Sequence, residues 1–331
     1  MEQFRTIVSP SGRSPVLFQN TPILTLGSCF SDAMGKRLQD NKFQVKINPF
    51  GVIYNPISLH QVLRYTVLNE MPPASTFVLN QEVYRNFDFH SSFAALTREE
   101  CERAIQLTIN TLHAWIPTCQ VILLTYGTAW VYTETETNHI VANCHKVPAA
   151  KFNKRLLSSD EVIASFKDTL QLLRKLNPEL KIVLTVSPVR HIKDTLALNG
   201  VSKAILRTAC HIQAEQSGVE YFPAYEIMMD DLRDYRFYKP DMIHPTEQAE
   251  DYIWERFSER FIGDRELAFI STWKNIQAAL RHKPFHAGTS GHKNFLKDVL
   301  EKLEKLNDVV NVEEELKAVK AQLEDVKINT P

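Results

Sequence analysis

The sequence predicts an α/β fold: a parallel sheet flanked by helices, followed by an amphipathic helical appendage. Three observations carry this. Short runs such as "ILTL" (Ile23–Leu26), "VILLT" (Val121–Thr125) and "IVLTV" (Ile182–Val186) lack polar alternation, so they suit strands buried on both faces. Segments of helical spacing separate them, giving a β-α-β-α-β order. Right-handed crossovers then bring the C-terminal ends of the strands to one edge of the sheet, where active-site loops gather.

Composition sets the bounds. At 331 residues the chain exceeds the usual single-domain size, so one large domain with an appendage, or two domains, is expected. The domain organisation read from the sequence is 1–265 for the α/β unit and 266–331 for a linker and a helical, coiled-coil-like segment. The 44% hydrophobic and 23% charged fractions are those of a soluble globular protein. A net charge of -1 gives no electrostatic case for nucleic acid or an anionic membrane, which leaves small or neutral partners. No apolar run approaches the about 18 residues of a membrane span, and "MEQFRTIVSPSGRSP" lacks the apolar core of a secretory signal. A cytoplasmic location is expected. The cysteines, Cys29, Cys101, Cys119, Cys144 and Cys210, are odd in number and form no C-x-x-C pair, so reduced thiols are expected rather than disulfides or zinc.

Along the chain, the first strand runs through a Gly-Ser-Cys turn into a helix over about Ser31 to Asp40, and "FQVKI" returns as an extended piece. From "NPFGVIYNP" to about Leu96, paired Pro, Gly and Asn without a long period predict an irregular excursion over one end of the sheet. A helical pattern over Arg98–Trp115 leads into the strand at Val121. Ser158 or Ser159 then caps a helix whose apolar positions are Val162, Ile163, Phe166, Leu170 and Leu173, stopped by Asn177-Pro178. "KIVLTVSPVRH" is the next strand and its break, and it precedes a helix near Lys203–Gln216 and the strand "VEYFPA". Past residue 262, "RHKPFHAGTSGHK" reads as a connector. Leu296, Val299, Leu303, Leu306 and Val310, then Leu316, Val319, Leu323 and Val326 after a slip near Asn311, keep 3,4 spacing. That pattern serves either a helix packed on its own domain or self-association into a homo-oligomer.

Chemistry enters at the first turn. Ser28 follows Gly27 at the C-terminal end of the first strand, where a strand-turn-helix corner exposes a hydroxyl and aims N–H groups and the helix dipole at a developing oxyanion. A serine needs a base. "YKPDMIHPTEQAEDYIW" places Asp241 and His244 three residues apart, just before a helix introduced by Pro245. There the acid can fix the histidine tautomer while the second ring nitrogen faces the serine.

"GSCF" at the first strand end, Gly127 to Trp130 as G-x-x-W, "CHKVP" (Cys144–Pro148), "SPVRH" (Ser187–His191) and D-x-x-H-P (Asp241–Pro245), in that order, resemble the bacterial GSCFA family. That family is itself similar to the SGNH, or GDSL-like, hydrolases. The resemblance spans about Thr21 to Phe261. It implies a three-layer flavodoxin-like fold with Ser28 as nucleophile and Asp241 and His244 as its partners. It also implies an oxyanion hole made by the serine amide, a glycine for which Gly51 is the candidate, and an asparagine two residues after a glycine. Gly127 matches that last glycine, but Ala129 stands at the asparagine position. Thr128, Asn55 and Asn143 are the substitutes to consider.

Other residues carry two readings each. Trp130 and Tyr132 wall a pocket or pack the core. His145 and Lys146 bind an anionic group or form a polar surface loop, and Arg190 and His191 capture a carboxylate or phosphate or simply follow a Ser-Pro strand stop. Asp88 and His90 form a second acid/base pair or a structural contact. Cys29 is a thiol nucleophile or, pointing opposite to Ser28, a buried structural cysteine. His282, His286 and His292 lack metal-ligand spacing and read as solvated. The expected function is a serine esterase that hydrolyses or transfers a small O-acyl group, on a carbohydrate or other small alcohol, without metal or organic cofactor. The competing expectations are an acyltransferase and a catalytically silent binding module.

Overall fold

The computed structural model describes residues 6–8, 12–282, 284–286, 288–307 and 310–328, and the side chains of 325–328, Val326 among them, lie outside the described residues. The chain opens with β1 (Ile23–Gly27), α1 (Cys29–Asp40) and β2 (Val45–Ile47). It continues through α2 (Pro56–Leu68), a hairpin of β3 (Phe77–Asn80) and β4 (Val83–Asn86), α3 (Arg98–Trp115) and β5 (Val121–Tyr126). Next come β6 (Trp130–Glu134), β7 (Ile140–Val141), β8 (Phe152–Leu156), α4 (Ser159–Leu176), β9 (Lys181–Val186), α5 (Leu196–Gln213) and β10 (Val219–Phe222). A short α6 (Ala224–Glu226) precedes α7 (Glu247–Phe261), α8 (Asp264–Arg281), α9 (Ser290–Asn307) and α10 (Glu313–Ile328).

The main sheet has the order β10-β9-β5-β1-β2, and every pair is parallel. Counting only these strands along the chain, the order is 2-1-3-4-5, the flavodoxin-like arrangement, with its switch point between β1 and β5. Alternation assigns the faces. Leu24, Leu26, Ile122, Leu124, Ile182 and Leu184 pack against α2, α3, α4 and α5, whereas Ile23, Val121, Leu123 and Val183 pack against α1 and α7. The three layers follow from these two apolar faces. A smaller antiparallel sheet, β7-β6-β8, stands beyond the C-terminal end of β5.

The excursion predicted to be irregular contains a helix. Asn55 caps α2 by accepting the Ser58 amide at 2.8 Å, and Pro56 takes its first position. Nine of its thirteen residues are buried, so no polar face marks a helical period in the sequence. Two helix starts also move: α1 begins at Cys29 rather than about Ser31, and α5 at Leu196 rather than near Lys203. Ser158 is the cap of α4, in a reciprocal capping box with Glu161.

The helices α8, α9 and α10 share a core of Phe269, Trp273, Ile276, Leu296, Val299, Leu303, Val310, Val312 and Val319. The regularly spaced aliphatics are thus covered from within the chain. This core docks on the end of α1, where Trp273 Nε1 donates to the Asp40 carbonyl at 2.8 Å and Lys42 pairs with Glu315 at 2.7 Å. Among the described residues no helix is long and apolar enough to cross a membrane, and none of their His, Cys, Asp and Glu side chains form a group suited to a metal ion.

Candidate active site

Five segments meet at the C-terminal edge of the sheet: the start of α1, the loop before α2, the β5–β6 connection, the loop after β9 and the loop before α7. Packing and backbone bonds fix them. Gly127 N–H donates to the Tyr54 carbonyl at 2.8 Å, and Arg190 N–H donates to the Ile243 carbonyl at 3.1 Å. Between them they enclose an open cleft of about 410 Å³ whose wall includes Cys29, Tyr54, Trp130, Arg190, His191 and His244. A larger depression of about 670 Å³ lies between Thr6–Val8 and the 230–237 segment, but no cysteine, serine or histidine lines it.

Asp241 organises the last loop. Its Oδ1 accepts the amides of Ile243 at 2.8 Å and His244 at 3.0 Å, and its Oδ2 lies 2.8 Å from His244 Nδ1. The His244 amide, then the imidazole and the Ile243 amide, hold this carboxyl down to about 2, so it is ionised at neutral pH. A carboxylate on Nδ1 keeps the proton there, which leaves the lone pair of Nε2 available.

At the β1–α1 corner the two side chains face different surroundings, Ser28 towards the interior and Cys29 towards the cleft. Ser28 is 0% exposed, and its Oγ has no hydrogen-bond partner among the described residues. Its amide donates to the Thr125 carbonyl at 3.2 Å, so it is spent on β5 rather than aimed into the cleft. Gly27 is required for the same close approach. It sits at φ +144°, and a Cβ there would stand 2.2 Å from that Thr125 oxygen, so the missing side chain makes room for β5 and not for a substrate carbonyl. Cys29, half-buried, is the residue that lines the cleft.

Residues 22–257 match the GSCFA family, and residues 273–325 match the GSCFA domain protein, C-terminal domain. The chain belongs to the GSCFA family. A search of curated proteins returns no match. Among solved structures it is similar to a protein of Streptococcus pneumonia named for platelet activating factor, at 12% identity and a TM-score of 0.38, over 72% of this chain and 83% of that one. It is also similar to a carbohydrate esterase family 3 protein of Talaromyces cellulolyticus, at 8% identity and a TM-score of 0.35, over 76% of this chain and 98% of that one.

In this GSCFA chain most of the expected oxyanion donors are engaged elsewhere. The Gly51 amide donates to the Asn48 carbonyl at 2.7 Å, and its positive φ of 74° lets His90 pack where a Cβ would stand. Asn55 is the cap of α2. Thr128 reaches the cleft, but its amide donates to Tyr54 and its hydroxyl meets Ser202 Oγ at 3.1 Å. Ala129 is buried in the core. Asn143 accepts the His145 amide, His145 is buried with Nε2 on the Asn86 carbonyl at 2.7 Å, and Lys146 is exposed, so none of the three lines the cleft. Asp88 bonds Tyr65 and His139 instead of His90, which caps Ser92.

Two further residues bear on the site: His191, which the sequence offered only for capture of an anionic group, and Lys203, which it did not offer. His191 Nε2 is buried without a partner among the described residues, beside Gly127, and its ring meets Tyr54 edge-on at 5.4 Å. Burial pushes this imidazole down to about 3, with Lys203 and His244 adding to the shift, so it is neutral and can offer an N–H. The motif "SPVRH" contained the signal, but a Ser-Pro strand stop explains those residues equally well. Lys203, fully buried on α5, donates from Nζ to the carbonyls of Gly127 and Ser187. Its position inside a helical pattern gave no warning. Trp130 and Tyr132 line the cleft, and Lys154, ion-paired to Asp194, lies over Trp130 at 4.6 Å.

Proposed function

We propose that the chain is a hydrolase of ester bonds working through a covalent acyl-enzyme, with a small O-acyl group on a carbohydrate or similar alcohol as substrate. The observation that carries this reading is the Asp241–His244 contact of 2.8 Å, held on the wall of the cleft into which the start of α1 opens. His244 Nε2 takes the proton of a nucleophile at that helix start, and Asp241 stabilises the imidazolium. The oxyanion is met by His191 Nε2–H and by the first amides of α1, aided by the positive end of its dipole. The leaving alkoxide takes the proton back from His244. Water then repeats the sequence, or a sugar hydroxyl does so in a transferase. The aromatic faces of Trp130 and Tyr132 suit a sugar ring, and Arg190 suits an anionic substituent. This reading calls on no metal or organic cofactor.

The test is hydrolysis of p-nitrophenyl acetate by the full chain beside its His244→Ala and Asp241→Asn variants. Turnover that falls by roughly 10² to 10⁴ in each variant supports the reading. No turnover, or turnover indifferent to His244, overturns it. One observation favours a silent binding module: the amides of Gly51 and Gly127 are bonded within the fold. That alternative expects a bound acyl-sugar with no product.

A further inference from the structure

We propose that Cys29, not Ser28, is the nucleophile, so that the acyl-enzyme is a thioester. The proposal rests on the ester-hydrolase reading and names its attacking atom. Three independent features of the corner support it. Ser28 is enclosed, does not line the cleft, and has its amide bound to the Thr125 carbonyl. Cys29 lines the same cleft as His244 and His191. Third, Cys29 begins the twelve-residue α1, where its own amide and that of Phe30 are among the first N–H groups of the helix. A carbonyl attacked by that sulfur would place its oxygen beside the same unsatisfied helix-start donors.

The thiol is not a preformed thiolate. Burial pushes it up, and Asp32 adds to the shift, against the pull of the two amides. A base is therefore needed, and His244 supplies it. Its Nε2 accepts the Sγ proton as the Sγ–C bond forms, and the carbonyl electron pair moves onto oxygen. Collapse of the tetrahedral species breaks the C–O bond, and the alkoxide leaves with the proton from His244. Water, deprotonated by His244, attacks the thioester, so the products are the carboxylic acid, the alcohol and the free thiol.

The experiment compares the full chain with Cys29→Ala, Cys29→Ser, Ser28→Ala and, as a thiol control away from the cleft, Cys144→Ala. Each is checked by circular dichroism for folding, and the near-isosteric Cys29→Ser guards against a packing defect. After a pulse of p-nitrophenyl acetate and an acid quench, peptide mass spectrometry locates the acetyl group, and neutral hydroxylamine tests its lability. The expected result is an acetyl on Cys29 that hydroxylamine removes. Turnover should fall at least 100-fold in Cys29→Ala and stay within about threefold of wild type in Ser28→Ala and Cys144→Ala. An acetyl on Ser28, with turnover lost in Ser28→Ala, overturns the thiol assignment and leaves the ester reading standing. No acetyl on either residue, together with no His244-dependent turnover, overturns both.

Discussion

Lys203 Nζ donates to the carbonyl oxygen of Gly127 at 2.7 Å, and at the same distance to that of Ser187. One side chain from α5 thus joins the C-terminal ends of β5 and β9, the two strands whose following loops carry Thr128 and His191. Its burial is complete, which pushes the amine down to about 7. The cleft is built on this internal donor.

A pH dependence of stability follows. The folded-state value lies below the unfolded value of about 10.4, so above pH 7 the unfolded chain binds a proton that the folded chain has lost. This contribution therefore raises stability as pH climbs from about 7 towards 10. Buried thiols oppose it, since burial pushes Cys119 up to about 12 and Cys144 up to about 11. Urea unfolding of wild type and Lys203→Met at several pH values between 7 and 8 cancels that opposition. The difference should favour wild type increasingly with pH. Lys203→Met should also be less stable throughout, by roughly 1 to 3 kcal/mol, because two buried carbonyls lose their donor. Parallel curves would refute the assignment.

The corner below the site makes a steric prediction. Gly27→Ala forces a Cβ to within 2.2 Å of the Thr125 oxygen at a φ of +144°. The clash and the strained backbone together should cost roughly 3 kcal/mol or more. Gly200 lies in α5 with open space where its Cβ would be. Gly200→Ala should therefore stabilise, by about 0.5 to 1 kcal/mol. Thermal unfolding of the pair reads both signs at once.

These two glycines also show where sequence reasoning stops. Strands at Ile23, Val121 and Ile182 were legible because burial on both faces leaves an unbroken apolar run. The Asp241–His244 contact was legible because three residues within one loop bring acid and imidazole together whatever the rest of the chain does. Which of Ser28 and Cys29 faces the cleft was not, since that is decided by a bond to Thr125, almost a hundred positions away. Likewise α2 escaped notice because it is buried on nearly every side, and the engagement of the Gly51 and Gly127 amides was hidden because their partners, the Asn48 and Tyr54 carbonyls, are set by the path of a loop.

Asp241 is predicted to act by orientation. Asp241→Asn should lower kcat on p-nitrophenyl acetate by about 10² to 10⁴ with KM little changed, since the amide no longer holds the required tautomer. Its carboxyl is depressed, so the stability it contributes is present above the unfolded value near 4 and disappears as pH falls through about 2. The wild-type and Asn variants should differ in thermal stability at pH 6 and converge near pH 2. A difference that persists unchanged to pH 2 would place the effect elsewhere.

His191 is predicted to replace the donor lost at Ala129. Its Nε2 is buried without a partner among the described residues, an arrangement that costs folding free energy and gains something only when an acceptor arrives. His191→Phe keeps the edge-on contact with Tyr54 and removes the N–H. The variant should be at least as stable as wild type, yet lose about 10² to 10³ in kcat with KM near its original value. His191→Gln, which restores a donor of similar reach, should recover part of that loss. Steady-state kinetics beside thermal unfolding separates the alternatives. A structural histidine would lower Tm in His191→Phe and leave kcat of the folded fraction intact, whereas an oxyanion donor does the reverse.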